Sequence, residues 1–308
     1  MSETVRKIEK SLMAKFLSGG EYETLLDYIN KHKAKLRLEI RRKNEAIVYY
    51  KKNKILKIGL KSLFRDPKYA ELKNTSKQQV QVDTQILPEA KIAIKYPDAY
   101  FKNMEKCIDN WLKINSKNEF AAQQNIAYQN SDDSSEYIII DMEYSPCQQS
   151  VDIKNRVYKK DENGKRMIYE KGKRNSKSPI FDLLGIERKT GNIIIFELKK
   201  GIKSLDGNSG VEDHIEDFED FFVNSKKIFK EILKKDIDGI IESKKKLGLL
   251  KLPDNFCINY DNIQFMFIFD PEKEEDENYY KKKVKLLAEK YPTIFVRSDS
   301  YKLILSKK

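Results

Sequence analysis

Asp182, Glu197 and Lys199 combine reactive side-chain types with improbable surroundings. They fall in SPIFDLLGIERKTGNIIIFELKKG, residues 178 to 201, within runs otherwise built of Ile, Leu and Phe. Charges in such runs are expensive unless something compensates them. A strand sends residues two apart to the same side, so Glu197 and Lys199 project together while Phe196 and Leu198 project the other way. If Lys189 to Asn192 form a four-residue loop, Arg188 pairs with Ile193 and Leu184 with Glu197. Asp182 then falls opposite Lys199, and all three charges share one face. A three-residue loop without a bulge would turn Asp182 to the other face. Two carboxylates and an ammonium on an apolar ribbon are the parts of a divalent-metal site with a neighbouring cation. Phosphodiester hydrolysis uses those parts: oxygen ligands hold Mg²⁺, which activates water, and a lysine orients that water or stabilises developing charge. The plainer alternative makes Glu197 and Lys199 an exposed strand edge and Asp182 a turn residue.

The elements that must position these groups follow from periodicity. KNEFAAQQNIAYQ, residues 117 to 129, reads as a helix in which Phe120, Gln124 and Ala127 share a face and Glu119 lies one position behind. YIIIDMEYS, from Tyr137, reads as a buried strand carrying Asp141 and Glu143 on one side, and either could reach the site; Glu143 lies nearer the strand end. A polar excursion through residues 150 to 178 holds an Asn163-Gly164 turn signal, and then come the two quoted strands. GVEDHIEDFEDFFVN and KKIFKEILKKDIDGIIESKKK read as helices; NIQFMFIFD and TIFVRSD read as strands around a Glu/Lys-rich helix near residues 273 to 290. The order is helix, three strands, helix, strand, helix, strand, an α/β sheet covered by helices.

Residues 1 to 115 form a separate, basic α+β region. Two short helices are expected across residues 5 to 31, broken at Gly19-Gly20. LRLEIRRKNEAIVYYKKNKILKIGL, residues 36 to 60, reads as a three-stranded meander turning at Lys43-Asn44 and Lys52-Asn53. Residues 61 to 100 are expected to be loops with a short strand, and YFKNMEKCIDNWLKIN a helix linking the halves. Of the net charge of +12, residues 1 to 120 hold nearly all, with 26 Lys and Arg against 15 Asp and Glu; the rest of the chain has 34 against 33. A positive field placed this unevenly suits a polyanion, with nucleic acid the expected partner. Lysines as default surface residues, or as blockers of edge pairing in the meander, account for the same residues without a ligand. No apolar run approaches the length of a membrane span and MSETVRK lacks a signal-peptide core, so a cytoplasmic chain without a membrane partner is expected. Cys107, Cys147 and Cys257 lack CxxC spacing and read as reduced packing residues. Trp111 and the tyrosines read as core and rim, and His32 has no identifiable partner.

Asp182 followed, after a hairpin, by Glu197-Leu198-Lys199 resembles the PD-(D/E)XK nuclease superfamily, over roughly residues 117 to 270. The resemblance implies a restriction-endonuclease-like core, an αβββαβ mixed sheet flanked by helices, in a nuclease-like domain at 116 to 308. It implies Asp182 and Glu197 as metal ligands, the Leu198 carbonyl completing the inner shell, Lys199 serving the water, and Mg²⁺ or Mn²⁺ as cofactor. Some members add a glutamate from the helix before the first strand, for which Glu119 is the candidate; Glu143 is the candidate from the first strand. RecB-like members carry a Gln and a Tyr four apart on the helix after the lysine, and His214 with Phe218 has that spacing without those residues. Gly201, Gly207 and Gly210 either let phosphate approach the backbone or are ordinary loop residues. One departure is that Ile180-Phe181, not a proline, directly precede Asp182. The implied function is a metal-dependent nuclease acting on DNA, with the basic N-terminal region as a DNA-binding or homodimerising module. The alternatives are a nucleic-acid-binding protein that has lost turnover and a subunit whose basic region docks an acidic protein.

Overall fold

The structure, a computed structural model, describes residues 5–72, 83–115, 118–131, 134–146, 157–160, 166–169, 179–205, 210–224, 226–253, 255–283, 290–297 and 300–304. The expected Asn163-Gly164 turn, Cys147 and Gly207 lie outside these residues.

Two helices, α1 (Lys10–Phe16) and α2 (Glu23–Lys31), precede a four-stranded antiparallel sheet of β1 (Leu36–Arg41), β2 (Glu45–Tyr50), β3 (Asn53–Ile58) and β4 (Leu63–Phe64). The three-stranded meander is therefore present, with a fourth short strand added. Its second turn sits one residue earlier than expected, at Lys51-Lys52, because Tyr50 pairs with Asn53. Residues 61 to 100 hold more order than expected. A second two-stranded ribbon pairs β5 (Glu71–Leu72) with β6 (Asp83–Thr84), and α3 (Ile92–Lys95) leads into α4 (Pro97–Ile114), which Pro97 opens where a missing N–H costs nothing.

The second half begins with α5 (Asn118–Gln129) and β7 (Tyr137–Tyr144). A hairpin of β8 (Val157–Lys160) and β9 (Arg166–Tyr169) follows, then β10 (Phe181–Glu187) and β11 (Asn192–Lys200). After α6 (Val211–Phe218), a π-helical turn over Glu219–Asn224 and α7 (Lys226–Lys246), the chain enters β12 (Asn259–Asp270), α8 (Glu274–Lys283) and β13 (Thr293–Phe295). The five-stranded sheet runs β13-β12-β11-β10-β7, antiparallel through β7, β10 and β11 and parallel through β11, β12 and β13. The chain is thus α/β, with one antiparallel and one mixed sheet. TIFVRSD contributes a strand only at Thr293–Phe295.

Alternation sorts the side chains of this sheet to two faces. Leu184, Ile186, Ile193, Ile195, Phe265 and Phe267 join Phe218, Phe222, Leu233 and Ile237 in one apolar cluster, while Leu183, Ile194, Phe196 and Leu198 join Ala122 and Ile126 of α5 in another. Gly185 sits where a methyl group would meet Phe196 at 2.9 Å and Ile139 at 3.0 Å, and the β10–β7 register slips there. The first cluster also contains Leu38, Ile40, Val48 and Ile55, so apolar packing is continuous across residue 115.

Buried ion pairs reinforce that continuity. Asp141 is fully buried and held by Arg6 and by Arg41, whose Nη1 lies 2.7 Å from Oδ1. Arg42 pairs with Asp236 of α7, which also accepts from the Arg6 backbone N–H at 3.0 Å and from the Tyr144 hydroxyl at 3.2 Å. Asp141 is therefore a structural anchor and not a cleft residue, and two arginines of the meander turn inward instead of facing solvent. Burial pushes the Asp141 carboxyl up, but Arg41 and Arg6 outweigh it and hold it down at about 2. A carboxyl lower in the folded than in the unfolded state stabilises above the unfolded pKa and loses that contribution as pH falls through the folded one. Asp141→Asn should therefore lower unfolding free energy by about 3–5 kcal/mol at pH 7, since it strands two buried guanidinium groups. In a denaturant titration the difference from wild type should narrow between pH 4 and pH 2.

Candidate functional site

The turn between β10 and β11 spans Arg188 to Gly191, four residues as expected but starting one residue earlier, and pairs Ile186 with Ile193 and Leu183 with Phe196. Relative to the expected pairing the register is shifted by two residues. Continuing it places Asp182 opposite Glu197, not opposite Lys199. An even shift preserves the face, so the three charges still converge. All three are buried, Asp182 at 7% exposure and Glu197 and Lys199 at 4%, which removes the exposed-edge alternative.

Each carboxylate is oriented by named donors. Asp182 Oδ2 accepts the Leu198 backbone N–H at 2.9 Å, and the Asp182 carbonyl accepts from Gln123 Nε2 at 2.6 Å. In an extended strand a residue's N–H and C=O lie along the same edge, so the Leu198 carbonyl faces the β10 side as well. Glu197 Oε1 is shared by Lys199 Nζ at 3.1 Å and His214 Nε2 at 2.9 Å. That sharing leaves Glu197 Oε2 buried with no hydrogen-bond partner among the described residues, and His214 Nδ1 is in the same condition. His214 arrives on α6, whose first turn begins after Gly210 in extended backbone and carries Glu212 and Asp213, favourable to the helix dipole. Gly201, at φ +64° just after Lys199, packs against Glu272 and needs the left-handed freedom of glycine.

Three further residues complete an open cleft of roughly 520 Å³ lined by Lys52, Glu119, Glu143, Asp182, Glu197, Lys199 and His214, with Ile180, Lys203 and Ser204 at its margin. Glu119 comes from α5, one helical turn before Gln123, so this pair marks the helix edge nearest the site. Glu143 is the β7 acid that reaches the cleft, and it does so from a left-handed backbone at φ +54° inside a strand, a conformation that is costly for any residue except glycine. Lys52 comes from the β2–β3 turn. Its ammonium lies 3.1 Å from Glu143 Oε1 and 3.2 Å from Asp182 Oδ1. Neither Lys52 nor Gln123 was marked by the sequence. Gln123 could have been found four residues after Glu119, whereas nothing in YYKKNK sets Lys52 apart from its neighbours.

The electrostatics of the two opposed carboxyls diverge. Burial, then the neighbouring Glu197, pushes Asp182 up to about 6, against the opposing pull of Lys52. Burial would raise Glu197 too, but Lys199 and His214 outweigh it and hold that carboxyl below its usual range. Opposed acids pushed apart in this way are a recurrent feature of sites that manage protons or cations. Among the described residues, no group of three or more His, Cys, Asp or Glu side chains is arranged as a ready-made cation cage. What the cleft offers is two buried carboxyl groups, Asp182 and Glu197, with Glu119 and Glu143 beside them and Lys52 and Lys199 as counter-charges.

The sign of the Asp182 shift has a thermodynamic consequence. Because the folded protein holds this proton more tightly than the unfolded chain, wild-type stability falls as pH rises from about 4 through 6. Asp182→Asn should raise the stability of metal-free protein at pH 7.5 by about 1–3 kcal/mol and have little effect at pH 4. Glu197→Gln should do the opposite at pH 7.5. Thermal unfolding in EDTA reads both.

Compared with protein-family models, with curated proteins and with solved structures, the chain matches none.

Proposed function

We propose that this chain is a metal-dependent nuclease that hydrolyses phosphodiester bonds in DNA, built on a restriction-endonuclease-like core of α5, β7, β10, β11, α6–α7 and β12. The observation that carries the reading is the convergence of the buried side chains of Asp182, Glu197 and Lys199, distant in number, on one open cleft with Glu143 and His214. The donor set suits a hard divalent cation. Glu197 presents a buried oxygen with no hydrogen-bond partner among the described residues, and Asp182 is a carboxyl whose ionisation burial and then Glu197 oppose and a cation would favour. Asp182, Glu197 and the Leu198 carbonyl would hold the ion, with Glu119 on the same cleft wall. Mg²⁺ or Mn²⁺ bound there would polarise a phosphoryl oxygen and lower the pKa of a neighbouring water.

The protein's own groups do the remaining work. Glu197 Oε1 fixes the Lys199 ammonium, which can then donate to an attacking water or to negative charge growing on the phosphoryl oxygens. His214, tied to the same oxygen, limits the rotation of Glu197. The N-terminal sheet offers a surface on which basic residues outnumber acids: a second cleft of roughly 500 Å³ is lined by Lys43, Lys54 and Lys57 with Glu45 and Asp66, above the inward-turned Arg41 and Arg42, and exposed Phe64 lies at its edge. Phosphates and an unstacked base suit such a surface.

One observation favours a second reading, a nucleic-acid-binding protein without turnover: Lys52 already sits between Asp182 and Glu143. Cleavage separates the two. Purified protein with plasmid and single-stranded DNA should cut in Mg²⁺ or Mn²⁺ and not in EDTA, and Lys199→Ala should lower the rate by about 10²–10³-fold. Cutting in EDTA, or an unaffected Lys199→Ala variant, would overturn the nuclease proposal. Lys43→Glu with Lys54→Glu should weaken DNA binding and reduce the slope of log K against log salt by about one for each phosphate the variant no longer neutralises, read by fluorescence anisotropy.

A further inference from the structure

Lys52 enters the cleft from the antiparallel N-terminal sheet, a direction none of the five strands of the mixed sheet supplies. It is the second residue of a two-residue turn in which both Lys51 (φ +47°) and Lys52 (φ +60°) are left-handed. Turns of this type are normally filled by Gly, which has no Cβ, and by Asn, whose short polar side chain bonds locally, because longer side chains are strained there. Two lysines in those positions are therefore a local cost that needs a compensating contact.

The contacts are specific. The Lys52 backbone N–H donates to Gln124 Oε1 at 2.8 Å, which fastens the turn to α5. The ammonium lies over the Phe120 ring, 4.7 Å from its centre, and between Glu143 and Asp182. Only 8% of the side chain is exposed. Glu143 meets it from its own left-handed backbone, so strained residues on two different sheets hold one ion triplet. A lysine that served only solubility would leave its ammonium in water.

Building on the nuclease reading, we infer that Lys52 is an internal counter-cation: it neutralises Asp182 and Glu143 in the metal-free protein and competes with the divalent ion for Asp182. The N-terminal sheet thereby sets the metal affinity of a cleft whose acids belong to the other half of the chain. Lys52 is a positioning residue in this scheme. It acts through the two carboxylates, and the strain in its turn keeps the ammonium directed at them.

The test measures ion binding without nucleic acid. Full-length wild type, Lys52→Met, Lys52→Gly, Lys52→Arg and Asp182→Asn are titrated with Mn²⁺, free ion being followed by electron paramagnetic resonance, and each is melted in EDTA and in Mn²⁺. Lys52→Gly is included because glycine suits the left-handed turn and keeps the protein folded if methionine does not. Removing a unit charge a few ångströms from the ion should tighten Mn²⁺ binding by roughly tenfold or more in Lys52→Met and Lys52→Gly. Lys52→Arg should stay near wild type. In EDTA the charge-free variants should melt below wild type and gain more from Mn²⁺ than wild type does. Unchanged affinity in Lys52→Met and Lys52→Gly, with binding abolished in Asp182→Asn, would overturn the counter-cation and leave the metal site standing. Absence of Mn²⁺ binding in wild type and in every Lys52 variant would overturn both.

Discussion

Two carboxylates facing each other across a buried antiparallel pair repel, and the opposition of Asp182 and Glu197 shapes everything arranged around them. Neither can be ionised in apolar surroundings without a cation close by. Glu197 has one on its own strand, Lys199, and is also contacted by His214 of the following helix. Asp182 has none from its own sheet and depends on Lys52 and the Leu198 amide. The asymmetry explains why one acid sits below its usual range and the other above it, although they occupy equivalent places on neighbouring strands.

A second ionic layer lies behind the first. Arg6 and Arg41 with Asp141, Arg42 with Asp236, and Glu39 with Lys244 are closed pairs between the N-terminal region and the five-stranded sheet or its helix. Lys244 is buried near the end of α7 and donates to the Ile140 carbonyl at 2.7 Å. These pairs fix the angle at which the β2–β3 turn approaches the cleft. The basic composition of the first 115 residues thus has two uses, some of it locking the halves together and some of it, at Lys43, Lys54 and Lys57, left facing the second cleft.

Much of the site was legible in the sequence because side-chain parity is a local property. Alternation in IIIFELKK and FDLLGIE put Asp182, Glu197 and Lys199 on one face, and an error of two residues in the register left that result intact. Choosing between Asp141 and Glu143 was harder, since the strand pattern treats them alike; a slip at Gly185 and a left-handed residue at 143 separate them, and neither has a signature in composition. Of the short strands at Leu63–Phe64, Glu71–Leu72 and Asp83–Thr84, the sequence led to the expectation of one, without its place, because two residues cannot display a period. Lys52 was invisible for a different reason. Its importance arises from contacts with residues 91 and 130 positions away, and one lysine among KKNK carries no mark of them.

The ties across this molecule are long in sequence: the Arg6 amide waits for Asp236, 230 residues later, and Arg6 and Asp141 are 135 apart. During synthesis the first strands therefore leave the ribosome with guanidinium groups whose partners do not yet exist. Closing loops of that size is slow and comes late. The cleft needs the β2–β3 turn from one end of this order and α6 from the other, so a growing chain carries the parts of its site well before it carries the site.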